Sequence, residues 1–445
     1  MGTGFATLPA AGDYRIVNAR APACLVAAPG LGADAEGFAR IDVAIGGGRI
    51  DSIVPSGTPT LDSDRPALKL DGGILLPRLV DIHTHLDKGQ IWARRPNPDG
   101  TFMGALTSVS ADREARWSAE DVARRMDFSL RCALSHGTGA VRTHLDSIGP
   151  QSAITWPIFA QARERWAGRI ALQGVALFAL SRVLQEPAEF DRLTGLVAEH
   201  GGVLGGVTFE GRAPDRDTDA ALDRLVQAAK ARGLDLDLHV DESNELEART
   251  LERVADAVLR NGYEGKVLCG HCCALSLLPP AELDRLIAKV VEARLAVVSL
   301  PMCNMYLQDR LAHRTPRWRG VAPLHELRAA GVPVMVASDN TRDPFYAYGD
   351  LDMLEVFREA TRILHLDHSG PDWIRSVAST PADLMGLDRC GRLEAGDAAD
   401  LILLRARSWT ELMARPQADR TVLVNGAPID AAPPDYRELD DLMKA

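Results

Sequence analysis

Two histidines one residue apart stand at 83 and 85, in the stretch HTHLDKG (83–89), directly after the apolar run ILLPRLVDI. In a strand, residues two apart point to the same side, so both imidazoles can face one metal ion. Other histidines and carboxylates end other apolar runs. His239 closes LDLDLHVDE with Asp241 and Glu242 beside it, His271 closes KVLCGHC, and Asp339 with Asn340 closes VPVMVASDN. Imidazole and carboxylate are the usual ligands of catalytic Zn²⁺ and of Fe²⁺. Each residue alone has an ordinary structural reading: a packed, hydrogen-bonded core histidine, or an aspartate capping a helix. Four strand ends converging on ligand chemistry point instead to one divalent-metal site.

The elements that must bring these residues together are legible as an alternation. Eight apolar runs follow one another at 74–85, 139–146, 169–178, 202–210, 234–242, 266–272, 295–302 and 332–340. Between most of them lie amphipathic stretches such as DAALDRLVQAAKARG and ELDRLIAKVVEARL, with apolar residues near i, i+3, i+4 and i+7. Strand–helix alternation means parallel strands with crossover helices. Eight units favour a closed (β/α)8 barrel over an open sheet, with active-site groups at the C-terminal ends of the strands. Short β-rich runs broken by Gly, Pro and Asp fill 13–70, and strand-like segments return after residue 391. The expected organisation is α/β: a barrel over 74–390, flanked by a small β-sandwich-like domain built from both termini, 1–73 and 391–445. The Pro/Asp-rich tail reads as surface.

Composition narrows the function classes. The 445 residues are 46% hydrophobic and 25% charged, which is ordinary for a globular chain. A net charge of −11 argues against nucleic-acid or anionic-membrane partners. No apolar run reaches about 18 residues, and the N-terminus lacks a signal-peptide pattern. The opening Met-Gly-Thr-Gly-Phe-Ala fits an acylation pattern only superficially, with no second membrane signal. Seven cysteines, an odd number, read as reduced thiols of a cytoplasmic protein. Cys269, Cys272 and Cys273 flank His271 and read as core thiols.

The segments HTHLDKGQ, VRTHLDS, HVDES, GHCCAL, PMCNMYLQDR and SDNTRDPFYAYG, in that order, resemble the amidohydrolase superfamily, and most closely its cytosine deaminase-like branch. The resemblance covers roughly residues 74 to 390, and the terminal β-segments fit that superfamily's side domain. It implies a mononuclear site with His83, His85, His239 and Asp339 as ligands of one Zn²⁺ or Fe²⁺. The fourth run, GVLGGVTFE, lacks the lysine with which two-metal members bridge their ions. Such an ion makes hydroxide available near neutral pH. The resemblance further implies that Asp339 takes the water proton, that Glu242 shuttles it to a ring nitrogen and that His271 orients the water. The implied reaction is hydrolytic deamination of an amino-substituted nitrogen heterocycle.

Three positions depart from that branch. Ala179 stands where a ring-reading glutamine is expected, Asn340 replaces a second aspartate, and Phe345 replaces a tryptophan. Gln173, the only nearby glutamine, lies mid-strand. The expected substrate is therefore a small heterocycle other than cytosine. Two other readings stand beside this one: a hydrolase opening a ring amide or removing an N-alkylamino group from a triazine-like ring, and a non-catalytic binding barrel. Asp87 and Lys88 either line the substrate mouth or form a solvated salt bridge. His144 either supports the ligands from behind or touches substrate. RTPRWRG (314–320) is basic and reads either as a contact for an anionic substrate or, in preference, as a structural loop with surface arginines, and residues 97–106 read as a loop that covers the pocket. Assembly into a homo-oligomer is left open.

Overall fold

A computed structural model describes residues 5–9, 12–59 and 63–444. Residues 1–4 of the acylation-like opening lie outside them. Eight short strands form the centre of the fold: Leu79–Thr84, Thr138–Asp146, Ala171–Leu177, Leu204–Val207, Leu236–Val240, Val267–His271, Ala296–Ser299 and Val334–Val336. They are called the first to eighth barrel strands below. Nearly all their residues are buried, as expected for parallel strands covered on both faces. The first three pair in sequence order, and so do the last five. Parallel bridges Val175–Val203 and Ala179–Val207 join the third strand to the fourth. A further bridge, Thr84–Asp339, joins the first strand to the segment just after the eighth. The order thus returns to its start, as in a (β/α)8 barrel.

The crossovers follow local chemistry. DAALDRLVQAAKARG lies within helix Arg216–Arg232, where Asp215 accepts from the backbone amides of Asp217 and Thr218 at the N-terminus. Gly233, at φ 63°, ends it in the left-handed conformation that glycine adopts without steric cost. No helix of the described residues is long and apolar enough to cross a membrane.

Both termini supply the side domain. One antiparallel-dominated sheet runs Arg49–Pro55, Phe38–Gly46, Tyr14–Pro22, Ala67–Lys69. A second runs Ala427–Pro428, Thr421–Val424, Leu401–Leu403, Leu75–Pro77. Ile16, Ile41, Leu75, Leu401 and Leu423 share one apolar core between them.

The structure departs from the sequence reading in four places. The run 74–85 is not one strand: Leu75–Pro77 pairs with Leu401–Leu403 in the side domain, and Leu79–Thr84 begins the barrel. Arg78 marks the break, its backbone N–H donating to Asp400 O, so side-domain pairing runs past residue 73. Helix Trp409–Ala414, capped by Ser408, lies between the two strand-like segments 391–406 and 420–430, where the sequence reading assigns no helix. The segment 97–106 is a loop only to Thr101, which caps helix Phe102–Arg116. The tail is not mere surface: Leu439 is buried with Phe128 and Cys132, and Arg124 and Arg131 pair with Asp441 and Glu438.

Candidate active site

The strand ends converge on one cavity of about 760 Å³, lined by His85, His239, Glu242, His271, Asp339 and Lys88 among others. His83 and His85 come from the first strand and its end, His239 from the fifth, and His271 from the sixth. Asp339 follows the eighth. Three residues at these strand ends sit in the left-handed region without being glycine: Asp241 (φ 49°), His271 (φ 67°) and Asp339 (φ 64°). Such backbone costs energy and clusters where a side chain must be aimed.

His85 Nε2 lies 3.1 Å from Asp339 Oδ1, and His83 Nε2 lies 3.7 Å from the same oxygen. His239 Nε2 is 3.3 Å from His85 Nε2. Donors around a tetrahedral ion with bonds of ~2.0–2.1 Å stand about 3.3 Å apart, so this spacing fits one ion. His83 Nε2 and both Asp339 oxygens are buried without a hydrogen-bond partner. Buried polar atoms are rarely left so, and a cation between them satisfies all three. Burial holds all three imidazoles well below the usual histidine range, so they are neutral and offer lone pairs. The residues present therefore fit a divalent metal.

Glu242 and His271 stand beside this cluster. Burial, reinforced by the Asp339 charge, raises the Glu242 carboxyl well above its ordinary value. A third residue ties the two together. Asn304, fully buried on the short helix Pro301–Leu307, donates to His271 Nδ1 at 2.9 Å and to Glu242 Oε1 at 3.3 Å. Because His271 Nδ1 accepts, its proton sits on Nε2, an atom that has no protein partner. The stretch PMCNMYLQDR does not mark Asn304 by itself, because its amide acts through other side chains that only the fold brings near.

The remaining expected residues divide. Lys88 lines the cavity and pairs with Asp146 at 3.2 Å, and Arg113 completes the cluster at 2.8 Å. Burial opposes the ammonium charge, but Asp146, Asp87 and Asp343 hold its pKa above the ordinary lysine value. Neither the mouth position nor a solvated salt bridge describes Asp87. It is fully buried, does not line the cavity, and accepts from the Asp146 backbone N–H at 2.7 Å. His144 stands behind the ligands rather than against substrate: its Nε2 is 3.1 Å from His83 Nδ1 and 3.5 Å from Asp237 Oδ1. Arg142 pairs with that Asp237 at 3.0 Å, and this fixed cation opposes a second metal there. Gln173 is bound to Arg142 and to Met385 O, so it cannot replace a ring-reading glutamine. Ala179, Asn340 and Phe345 all line the cavity. The amide of Asn340 is engaged by Asp343 at 2.7 Å, and Phe345 packs edge-on against Phe102. Asp241 caps helix Thr250–Arg260 through Thr250 and Leu251. Loop 314–320 folds on Asp309, which accepts from Trp318 N, and its arginines do not line the cavity. All seven cysteines are free.

The amidohydrolase family profile matches residues 120–430. A pterin deaminase of Rhizobium rhizogenes is 52% identical over 445 residues, 100% of both chains. The chain belongs to the amidohydrolase family. A second relative of this amidohydrolase is an N-isopropylammelide isopropyl amidohydrolase of a Pseudomonas species. It is 26% identical over 382 residues, covering 82% of this chain and 88% of that one. Among solved structures, a 5-methylcytosine deaminase from Klebsiella pneumoniae liganded with 5-fluorocytosine superposes with a TM-score of 0.78 at 25% identity. The superposition covers 93% of this chain and 97% of that one.

Proposed function

We propose that this amidohydrolase is a metal-dependent hydrolytic deaminase of pterin-type rings: it replaces the exocyclic 2-amino group by oxygen and releases ammonia. The observation that carries the reading is the convergence of three imidazoles and Asp339 beside the Glu242 carboxyl, which lies 3.3 Å from His271 Nδ1. The substrate class rests on the 52% identity to a pterin deaminase along the whole chain.

His83, His85, His239 and Asp339 would hold one divalent ion, Zn²⁺ or Fe²⁺, which when bound would lower the pKa of a water toward neutrality. The Asp339 carboxylate is placed to take the proton that this water gives up. Glu242 delivers its proton to N1, the ring nitrogen beside the attacked carbon; the proton held by Asp339 passes to the departing amine, and the hydroxyl proton of the adduct returns to Glu242 as the carbonyl forms. Protonation makes the amidine carbon electrophilic. His271 directs its Nε2–H at the oxygen that gains negative charge, and Asn304 fixes that tautomer. A pteridine is larger than a pyrimidine, and a cavity of about 760 Å³ is of the size that encloses a drug-sized ligand. Small heterocycles are the partners so proposed. Seven free cysteines suit a reducing cytoplasm.

Release of an N-alkylamine is the second reading, because Asp339–Asn340 resembles the alkylamine-releasing group and an isopropylammelide hydrolase is a relative. The deciding experiment supplies the metal-loaded protein with pterin, cytosine and N-isopropylammelide, and measures ammonia and isopropylamine. Conversion of pterin to its 2-oxo product, with kcat/KM well above the others, is expected. Isopropylamine as the fastest product overturns the reading.

A further inference from the structure

The resemblance leaves one role vacant. With Ala179 in place of a glutamine, no side chain at the end of the third strand can read the amide edge of a substrate ring. If Glu242 addresses N1 of a pterin, the edge on the other side of the attacked carbon is N3–H beside C4=O, a donor next to an acceptor. A complementary protein group must offer an acceptor and a donor side by side, and a side-chain amide does so.

Most polar groups near the cavity are committed or unsuited. Asn340 donates to Asp343 and receives Cys303 Sγ at 3.7 Å. Asn304 serves His271 and Glu242. Lys88 is held by Asp146 and has donors only. Asn244 is solvent-exposed at the rim. Gln308 is different. It lines the cavity, it is only 7% exposed, and among the described residues its side-chain amide makes no hydrogen bond. An amide that opens onto a pocket with no protein partner is available to a ligand, and a few such polar groups fix a ligand's orientation.

The backbone around Gln308 is set to hold that side chain still. Its N–H donates to Asn304 O at 2.8 Å, so it continues the turn that positions the proton-handling pair. The loop that follows folds back through Asp309, bringing Gly320 against it. Gly320 has φ +67°, and a Cβ there would collide with Cβ and Cγ of Gln308. Glycine leaves the space that the glutamine stem occupies.

We propose that Gln308, reaching in from the loop after the seventh strand, reads the N3–H/C4=O amide edge of the pteridine in a two-hydrogen-bond pair. The role lost at position 179 has moved to another barrel strand end. This inference rests on the deaminase reading above, and the test separates the two.

Wild type, Gln308→Leu and Gln308→Glu are compared on pterin and on 2-aminopteridine, which lacks the 4-oxo group, with metal content measured in each. Wild type should prefer pterin. In Gln308→Leu, KM for pterin should rise on the order of 10- to 100-fold. KM for 2-aminopteridine, kcat and bound metal should change little, so the preference collapses. Gln308→Glu keeps an acceptor for N3–H but sets a carboxylate against C4=O, and should also lose the preference while folding with metal bound. A preference unchanged within about twofold in both variants overturns the role of Gln308 while leaving the deaminase reading intact. Equal loss on both substrates, or loss of metal, marks the side chain as structural and overturns it too. Failure of wild type to deaminate either pteridine overturns the deaminase reading itself.

Discussion

Glu242 and Asn304 show what single atoms contribute. The Glu242 carboxyl is raised first by burial and then by the Asp339 charge, which favours its protonated form relative to an ordinary glutamate. Glu242→Gln keeps the shape and removes the proton. Metal content should be unchanged, and kcat should fall on the order of 10²–10⁴-fold, the usual worth of acid–base catalysis. Near-normal turnover removes Glu242 from the mechanism. Asn304 touches both proton-handling groups and does not itself line the cavity. Asn304→Leu frees His271 to exchange tautomers. Its kcat should drop at least tenfold with KM for pterin altered less than threefold, and the pH–rate profile should shift. An unshifted profile with normal kcat assigns Asn304 to packing alone.

Whole elements decide how those atoms meet. Gly270 on the sixth strand lies flat against the first: a Cβ there would stand 3.0 Å from His83 Cε1 and 3.2 Å from Nδ1. Gly270→Ala therefore presses on a ligand ring without deleting any ligand. Metal dissociation should speed up and affinity should fall about 10–100-fold, the range seen when a ligand's support is disturbed. Titration of the apo-protein with Zn²⁺ measures this, and an unchanged affinity refutes it. Much of the element layout was legible in advance, because parallel strands buried on both faces leave long apolar runs and the crossover helices keep their 3.6-residue spacing. The ends of those runs placed the histidines. What stayed hidden is non-local. No feature around Pro77 says that Leu75–Pro77 pairs with Leu401–Leu403 across more than 300 residues. The role of His144 is open in the sequence because only Asp237, on the fifth strand and held by Arg142 of His144's own strand, turns it behind His83. The helix at Trp409–Ala414 is two turns long, too short for a periodic signal.

At the scale of the molecule, the C-terminal segment clasps the barrel. Arg420, beside the strand Thr421–Val424, pairs with Asp352, which caps helix Met353–Leu364, and donates to His136 O. Burial alone would raise the Asp352 carboxyl, but Arg420 overrides it and takes it down to about 2. A lowered pKa contributes stability that is present above the unfolded value of about 4 and is lost as pH falls toward 2. Arg420→Gln leaves that half-buried carboxylate with only His136 and the Leu354 backbone N–H as partners, at a cost of about 1–3 kcal/mol. The variant should melt several degrees lower at pH 7, and the gap should narrow below pH 4; a gap that persists undiminished at pH 3 contradicts this account. Among the described residues the first strand meets the end of the eighth at one β-bridge, followed by the bonds Gln90 N–H to Thr341 O and Trp92 N–H to Arg342 O; the bond of that bridge, Asp339 N–H to His83 O at 2.8 Å, joins the backbones of two proposed metal ligands. His83 and His85 lie on one side of that seam and Asp339 on the other, so a bound ion is also a rivet through it. Stripping the metal should loosen this joint before any other, and the amide hydrogen of Asp339 should then exchange with solvent deuterium far faster than those of the fifth and sixth strands. Catalytic readiness and closure of the ring would be the same event, and a chain that has not yet found its ion would be an incompletely fastened barrel.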